Sequence, residues 1–134
     1  MVVGVGFGGR TLDVTNIKSL HINGTTIGAG AFSVLTDDAG ASYSVPATKS
    51  LIIDKVIYHN GGSTVPDSAE FGYADDAAGT NFQVVIPKRI FSDRTTQTTS
   101  TTDALMRVAA TKFPIVRAGS ANTDLFLYVR GMEV

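Results

Sequence analysis

The sequence predicts an all-β fold built as an antiparallel β-sandwich, and three observations support this. Short runs of β-branched and aromatic residues recur along the 134 residues, separated by turn-forming Gly, Asn and Asp. Charged residues make up only 17% of the chain and hydrophobic residues 43%, so one domain of this length can bury a core. The longest strand-forming run, residues 45–60, is typical of the centre of a sheet. We therefore expect a sandwich over residues 16–134 and a flexible N-terminal arm over residues 1–15.

Residues 45–60 are predicted to form the central strand, although their alternation is irregular. Pro46 opens the segment, where a missing N–H removes no ladder hydrogen bond, and Asn60 begins the turn that closes it. A one-residue bulge near Asp54 and Lys55 would bring four apolar side chains to one face, namely Leu51, Ile53, Val56 and Tyr58. The alternative is a strand covered on both faces, by its own core and by a neighbouring chain.

The first nine residues, MVVGVGFGG, contain the spacing G-x-G-x-x-G. A dinucleotide-binding fingerprint needs a strand before these glycines and a helix after them, and the surrounding sequence predicts neither. A glycine-rich apolar tail loses much entropy on ordering and buries little surface alone. We therefore expect its apolar residues to pack on a neighbouring subunit, with a frayed tail as the alternative. These residues are Val2, Val3, Val5 and Phe7.

The segment before the central strand predicts short strands joined by turns. Residues 17–22 alternate as a strand, and the pair Asn23-Gly24 predicts a hairpin turn into a return strand at residues 25–27. Residues 37–40, with the sequence DDAG, form a second turn.

The segment after the central strand follows the same pattern. Residues 70–74 form a strand and residues 75–79 an acidic turn that resembles residues 37–40. Reuse of one turn chemistry explains this likeness, and an old duplication is the alternative. The strand that follows ends at Pro87, and its inward side chains are expected to be Phe82, Val84 and Ile86.

The last third of the chain combines a polar stretch with a final strand. Residues 92–103 contain six threonines and no apolar side chain, which predicts an exposed loop. Residues 104–110 fit either a two-turn helix or part of one strand over residues 105–115, and we favour the strand. Residues 124–130 form the final strand, with Leu125, Leu127 and Val129 on one face and Phe126 and Tyr128 on the other.

Two strands with apolar residues on both faces indicate that another chain covers part of the outer surface. The sequence therefore predicts a homo-oligomer. The expected contact residues come from the arm and from the outward sides of the two strands. They are Val2, Val3, Val5, Phe7, Ile52, Tyr58, Phe126 and Tyr128.

No catalytic, metal or cofactor site is predicted. His21 and His59 are the only imidazoles, they lie in separate strands, and no G-x-S-x-G motif occurs. The acidic pairs at residues 37–38 and 75–76 could serve calcium, but turn formation explains them without a D-x-D-x-D-G loop. A net charge of −1 provides no field to attract nucleic acid, and no apolar run is long enough to cross a membrane.

Two motifs carry a resemblance to a known class of proteins. The first is V-P-A-x-K at Val45, Pro46, Ala47 and Lys49, and the second is P-I-x-x-A-G at Pro114, Ile115, Ala118 and Gly119. Around them the chain resembles the jelly-roll or β-sandwich structural proteins of tailed bacteriophages, including capsid decoration (cement) proteins. The resemblance implies a single jelly-roll-like sandwich on the capsid surface of a virion. It also implies self-association, often as trimers, and binding to the major capsid protein or another virion protein.

The resulting expectation is a non-enzymatic phage structural protein that oligomerises and stabilises a capsid shell. One alternative is a carbohydrate-binding β-sandwich that uses loop residues such as Tyr73, Asp75, Asp76 and Asn81. A further alternative is a head–tail or tail-fibre component, which would use the same kind of protein interface.

Overall fold

The computed structural model describes residues 4–7, 10–13, 16–60, 67–91, 96–100, 106–119 and 123–134. These residues form an all-β structure, and no helix among them is long and apolar enough to cross a membrane. Their strands, in chain order, are β1 (Gly4–Phe7), β2 (Arg10–Asp13), β3 (Ile17–Ile27), β4 (Phe32–Val34), β5 (Leu51–Asn60), β6 (Asp67–Ala74), β7 (Gln83–Phe91), β8 (Thr96–Ser100), β9 (Met106–Val108), β10 (Phe113–Ala118) and β11 (Thr123–Glu133).

Two main sheets make up the fold, and all of their strand pairs are antiparallel. The four-stranded sheet has the order β4-β10-β6-β7. The five-stranded sheet has the order β3-β11-β5-β8, and β9 pairs with β5 beside β8. Buried side chains from both sheets form a single apolar cluster, so the sheets pack as a β-sandwich. The predicted all-β sandwich is confirmed at this level.

Alternation along the strands decides which side chains enter this core. In β11, Leu125, Leu127 and Val129 are buried, as their spacing predicts, while the residues between them face outward. The four-stranded sheet contributes Phe71 at its centre, the largest fully buried side chain. The other core residues of the two sheets include Leu20, Ile22, Leu51, Ile53, Val56, Ala69, Ile86, Val116 and Ala118.

Of the two alternatives for the central strand, the structure contains the bulge. Arg130 of β11 pairs with Lys55, but the next residue, Gly131, pairs with Ile53, so Asp54 is the extra residue of β5. This insertion resets the alternation, and Leu51, Ile53 and Val56 are all fully buried. A second covering chain is therefore not needed to explain why these three residues are apolar.

The predicted hairpin at Asn23-Gly24 is wrong, because β3 continues through it. Leu125 pairs with Thr25 and Leu127 with Ile22, so two residues of β3 lie opposite the single residue Phe126. The pair is thus a bulge within a long strand. Asn-Gly suits a bulge as well as a turn, and continuous pairing with β11 decides between them.

The expected inward position is confirmed for Ile86, but that of Val84 and the expected end of β7 are wrong. The strand continues past Pro87 to Phe91, and the register slips both near Pro87 and at Val85. β7 is an edge strand, and proline is tolerated at edges and bulges. The slip at Val85 turns Val84 outward, where it is 45% exposed, while Val85 packs against the core.

Two further corrections concern residues 92–115. Within the predicted loop, Thr96–Ser100 forms β8 and pairs with β5, consistent with the strand preference of threonine. The predicted single strand over residues 105–115 is two strands, β9 and β10, separated by a turn in which Thr111 has a φ of 68°. The choice of strand over helix is confirmed at Met106–Val108.

The N-terminal segment contains paired strands where the sequence predicts an arm. β1 and β2 form a two-stranded sheet in which Val5 pairs with Leu12 and Phe7 with Arg10. Val2 and Val3 lie outside the described residues. A two-stranded sheet is marginally stable alone in water, so it depends on what it packs against.

A buried polar group joins the end of β11 to the segment before β5. The Tyr43 hydroxyl donates to Glu133 Oε1 at 2.8 Å, and Lys49 Nζ lies 3.4 Å from Glu133 Oε2. Both Tyr43 and Glu133 are buried. Burial raises the pKa of Tyr43 above its ordinary 10.0, and the hydrogen bond to Glu133 raises it further.

Stability is therefore expected to fall at alkaline pH. Above pH 10 the unfolded chain loses a proton that folded Tyr43 retains, so the stabilisation is complete below pH 10 and declines as pH rises. Tyr43→Phe should cost about 1.5–3 kcal/mol at pH 8, because a hydrogen bond to a charged group is lost, and should reduce the decline above pH 10. Urea unfolding from pH 8 to 11 measures the cost at pH 8 and the decline in stability above pH 10. If stability declines as steeply in the variant, a group other than Tyr43 causes the decline.

Candidate protein interface

The side of the five-stranded sheet that faces away from the core carries most of the exposed apolar groups of the described residues. Phe126 is 42% exposed and Met132 39%, and Ile17 is exposed to a similar degree. We call this surface the outer face. Its described side chains come from β3, β11 and β5 and are Ile17, Ser19, His21, Phe126, Tyr128, Arg130, Met132, Ile52, Asp54, Lys55 and Ile57.

Strand register arranges the outer face in rows that run across the strands. Met132 pairs with Ile17 on one side and Ile52 on the other, which makes an apolar first row. Arg130 lies in a charged second row with Ser19, Asp54 and Lys55. Tyr128 pairs with His21 and Ile57 in a third row, and its hydroxyl lies 3.4 Å from Ser19 Oγ. Phe126 belongs to a fourth row.

An ion pair neutralises the centre of this surface. Arg130 Nε lies 3.1 Å and 3.2 Å from the two oxygens of Asp54, and Arg130 Nη2 donates to Oδ2 at 2.8 Å. This two-pronged geometry raises the pKa of Arg130, mainly through the hydrogen bond to Asp54, so the guanidinium stays charged. The bulge is what provides the partner, since Asp54 is the extra residue of β5.

A pocket of about 220 Å³ lies where the first and second rows meet. Its lining is largely apolar, with Ile17, Ile52 and Met132 around it and the Arg130–Asp54 pair at one side. An apolar depression bounded by a polar pair is the usual form of an anchor site in a protein interface.

The opposite surface of the sandwich is partly covered by its own chain, although Val84 is exposed there. On the four-stranded sheet, the rings of Phe32 and Phe82 meet edge to face at 5.1 Å, and the Arg117 guanidinium lies 5.8 Å and 5.3 Å from their centroids. We call these three residues the aromatic clasp. Arg117 also pairs with Glu70, and Ile115, two residues before Arg117 on the same strand, is fully buried. The two outer surfaces therefore differ in how far they are covered.

The predicted contact residues divide into two groups. The structure brings Phe126, Tyr128 and Ile52 together on the outer face, Phe126 being exposed and the other two half-buried. Tyr58 pairs with Leu127, but its side chain lies outside the described residues, as do those of Val5 and Phe7.

Ile17 and Met132 were not among the residues predicted for this surface, although both are exposed on it. Met132 continues the outward alternation of Phe126, Tyr128 and Arg130 beyond the point at which we predicted the strand to end. Ile17 begins a strand in which Leu20 and Ile22 point inward. Because side chains alternate between the two faces of a strand, residue 17 is expected to point outward, and the sequence alone indicates this.

The acidic turns use their carboxylates to shape the backbone. Asp37 Oδ1 accepts from the N–H groups of Ala39 and Ala41 at 2.9 Å and 3.0 Å. Asp76 Oδ1 accepts from Ala78 and Thr80, both at 3.0 Å. Each turn has a glycine with positive φ three residues after its aspartate, Gly40 at 81° and Gly79 at 88°. The predicted turn-forming role of these acids is confirmed.

The loop proposed for sugar binding has its charged groups engaged internally. Asp75 pairs with Lys112 and accepts from Asn81 Nδ2 at 2.7 Å, and these hydrogen bonds lower the pKa of Asp75. Asp76 accepts from the Thr80 hydroxyl at 2.6 Å, which lowers its pKa as well. Tyr73 packs against the core. A sugar would have to displace these contacts.

The one described histidine side chain is not part of a buried dyad. His21 Nδ1 lies 4.0 Å from Asp38 Oδ1, beyond hydrogen-bond range, and the Asp38 side chain is 82% exposed. No group of three or more potential metal ligands occurs in the part of the chain that the structure describes.

A scan with protein-family models and a search of curated proteins found no match to this chain.

Proposed function

We propose that this protein is a non-enzymatic structural component that self-associates and attaches to a larger protein shell, as capsid decoration proteins of tailed phages do. The observation that carries the proposal is the outer face of the five-stranded sheet. Its first row is apolar and exposed and adjoins a pocket, whereas the aromatic clasp covers part of the opposite sheet. Uncovered apolar surface of this kind marks protein interfaces.

Strand pairing supports the jelly-roll assignment within this proposal. A jelly roll is a long antiparallel ribbon, rolled so that its paired strands are shared between two sheets. The pairs β3·β11, β4·β10, β5·β8 and β6·β7 form such a ribbon, with β9 as an addition. Rolling the ribbon sets β11 beside β5 and β10 beside β6, and both of these contacts are present.

Jelly rolls serve viral capsids, lectins and cupins, and the site chemistry favours the first of these. A cupin needs a metal-binding set, and the described residues contain no cluster of that kind. A lectin needs available polar groups in its loops, and Asp75 and Asp76 are engaged with neighbours. The phage-like motifs at residues 45–49 and 114–119 support a virion location and a capsid partner.

Self-association is the first result expected from this proposal. Sedimentation velocity over a range from about 1 to 100 μM should show a sedimentation coefficient that rises with concentration, because small interfaces give micromolar dissociation constants. Capsids purified without the protein should then bind it on co-sedimentation. A monomer at every concentration, with no binding to capsids, would contradict the proposed function.

A further inference from the structure

We infer that a second copy of this chain occupies the outer face, packed face to face about a twofold axis that runs along the strands between β5 and β11. The inference rests on the proposed function, because it names the partner of the same surface. It follows from the order of charges and apolar groups on that surface and from its dimensions.

The charges select one arrangement of the two copies. A twofold axis along the strands places β11 of one copy over β5 of the other, with each row at the same height as its equivalent. Arg130 then lies over Asp54 of the second copy, and Asp54 lies over Arg130, so the two Arg130–Asp54 pairs join in one network, to which Lys55 of each copy adds a positive charge. A twofold axis across the strands at this row would place Arg130 on Arg130, which is repulsive.

The apolar rows fit the same arrangement. With rows at equal heights, Met132 lies over Ile52 of the second copy, and Tyr128 lies over Ile57. The pocket of about 220 Å³ between Ile17, Ile52 and Met132 then receives the methionine side chain of the other copy. Methionine is unbranched and flexible, so it fills such a pocket without a fixed shape. Moving an axis that runs across the strands by half a row toward Tyr128 would instead press the charged row onto Tyr128 and Ile57 of the third row.

The outer face is large enough for a weak specific dimer. The distance from β3 to β8 is about 14 Å, and the eleven residues of β3 and β11 span about 33 Å. The footprint is therefore on the order of 500 Å² per copy, or about 1,000 Å² in total, which lies in the range of weak, transient interfaces. Lys55, the second residue of the bulge, has a long stem that lets its ammonium group reach the rim.

Cysteine cross-linking tests the arrangement, because the natural chain contains no cysteine. Met132→Cys protein and Ile52→Cys protein, each with a different tag, are mixed and treated with a short bis-maleimide. We expect a covalent dimer containing one chain of each kind. A dimer formed instead between Met132→Cys and Tyr128→Cys proteins would indicate the axis across the strands and overturn this inference.

Charge insertion tests the surface itself with a matched control. Met132→Lys should weaken dimerisation at least tenfold, whereas Val84→Lys, at a site of similar exposure on the four-stranded sheet, should leave it unchanged. Circular dichroism checks that both variants are folded. If the wild-type protein dimerises and Met132→Lys does not weaken the dimer, this inference is overturned but the proposed self-association stands. If the wild-type protein is a monomer at all concentrations, both are overturned.

Discussion

Replacing Gly72 with valine is expected to cost about 3 kcal/mol or more of unfolding free energy, because the site has no room for any side chain. A Cβ atom there would overlap the carbonyl oxygen of Gln83 and lie 2.8 Å from its carbonyl carbon and 3.0 Å from the Phe82 ring. Gln83 belongs to the neighbouring strand β7, so relief requires a backbone shift. Chemical denaturation of the purified variant measures the loss.

Gly30→Ala is the matched control for this substitution. Gly30 has a φ of 71° and nothing within 4 Å of its added Cβ, so only left-handed strain opposes the change, at about 1–2 kcal/mol. The two variants therefore lose stability for different reasons: Gly30→Ala through backbone strain alone, and Gly72→Val through the steric conflict in β6. If both variants lose the same unfolding free energy, β7 can move away from the new side chain, and the close approach of Gly72 to Gln83 does not restrict residue 72.

Deleting Val129 is expected to abolish cooperative folding. Successive side chains of a strand point to opposite faces, so after one residue is removed the side chains of one half of β11 must exchange the core face for the outer face. Turning the first half exposes Leu125 and Leu127, at a cost of about 1.5–3 kcal/mol each, and turning the second half points Arg130 into the core. Loss of the cooperative thermal transition, followed by circular dichroism, is the expected readout.

Deleting Asp54 provides the contrast, since the same operation there removes an existing bulge. Without Asp54, Leu51, Ile53 and Val56 still face inward in strict alternation. The variant loses the partner of Arg130 but keeps every core residue, so we expect a cooperative transition close to that of the natural chain. Loss of folding in this variant would mean that the bulge itself is required for the fold of the sheet.

The sequence predicted those parts of the fold whose backbone conformation depends on one short segment alone. The acidic turns at Asp37 and Asp76 hold their backbones through their own side chains, so sequence alone identifies them. A bulge near Asp54 was one of two alternatives that the sequence offered, because one inserted residue restores an apolar face, and pairing with β11 decides for it. In β11, strict alternation fixed both the buried and the exposed side.

The wrong predictions share a physical cause, which is pairing with a distant strand. Asn23-Gly24 and Pro87 are strong local signals for a turn and a strand end, yet both lie in long paired strands. The threonines of β8 carry no apolar signal, and only the neighbouring β5 explains their extended backbone. Of the candidate interface, Phe126, Tyr128 and Ile52 were predicted; alternation also indicated that Ile17 faces outward, and register sets it beside Met132.

The aromatic clasp limits how far molecules of this shape can stack. A sandwich that offers adhesive surface on both sides can add copies without end and grow into a fibre. Here Arg117 lies against the rings of both Phe32 and Phe82, so the chain itself covers part of one side. We expect growth to stop once the other side is occupied, which is the behaviour that a component of a finite particle requires.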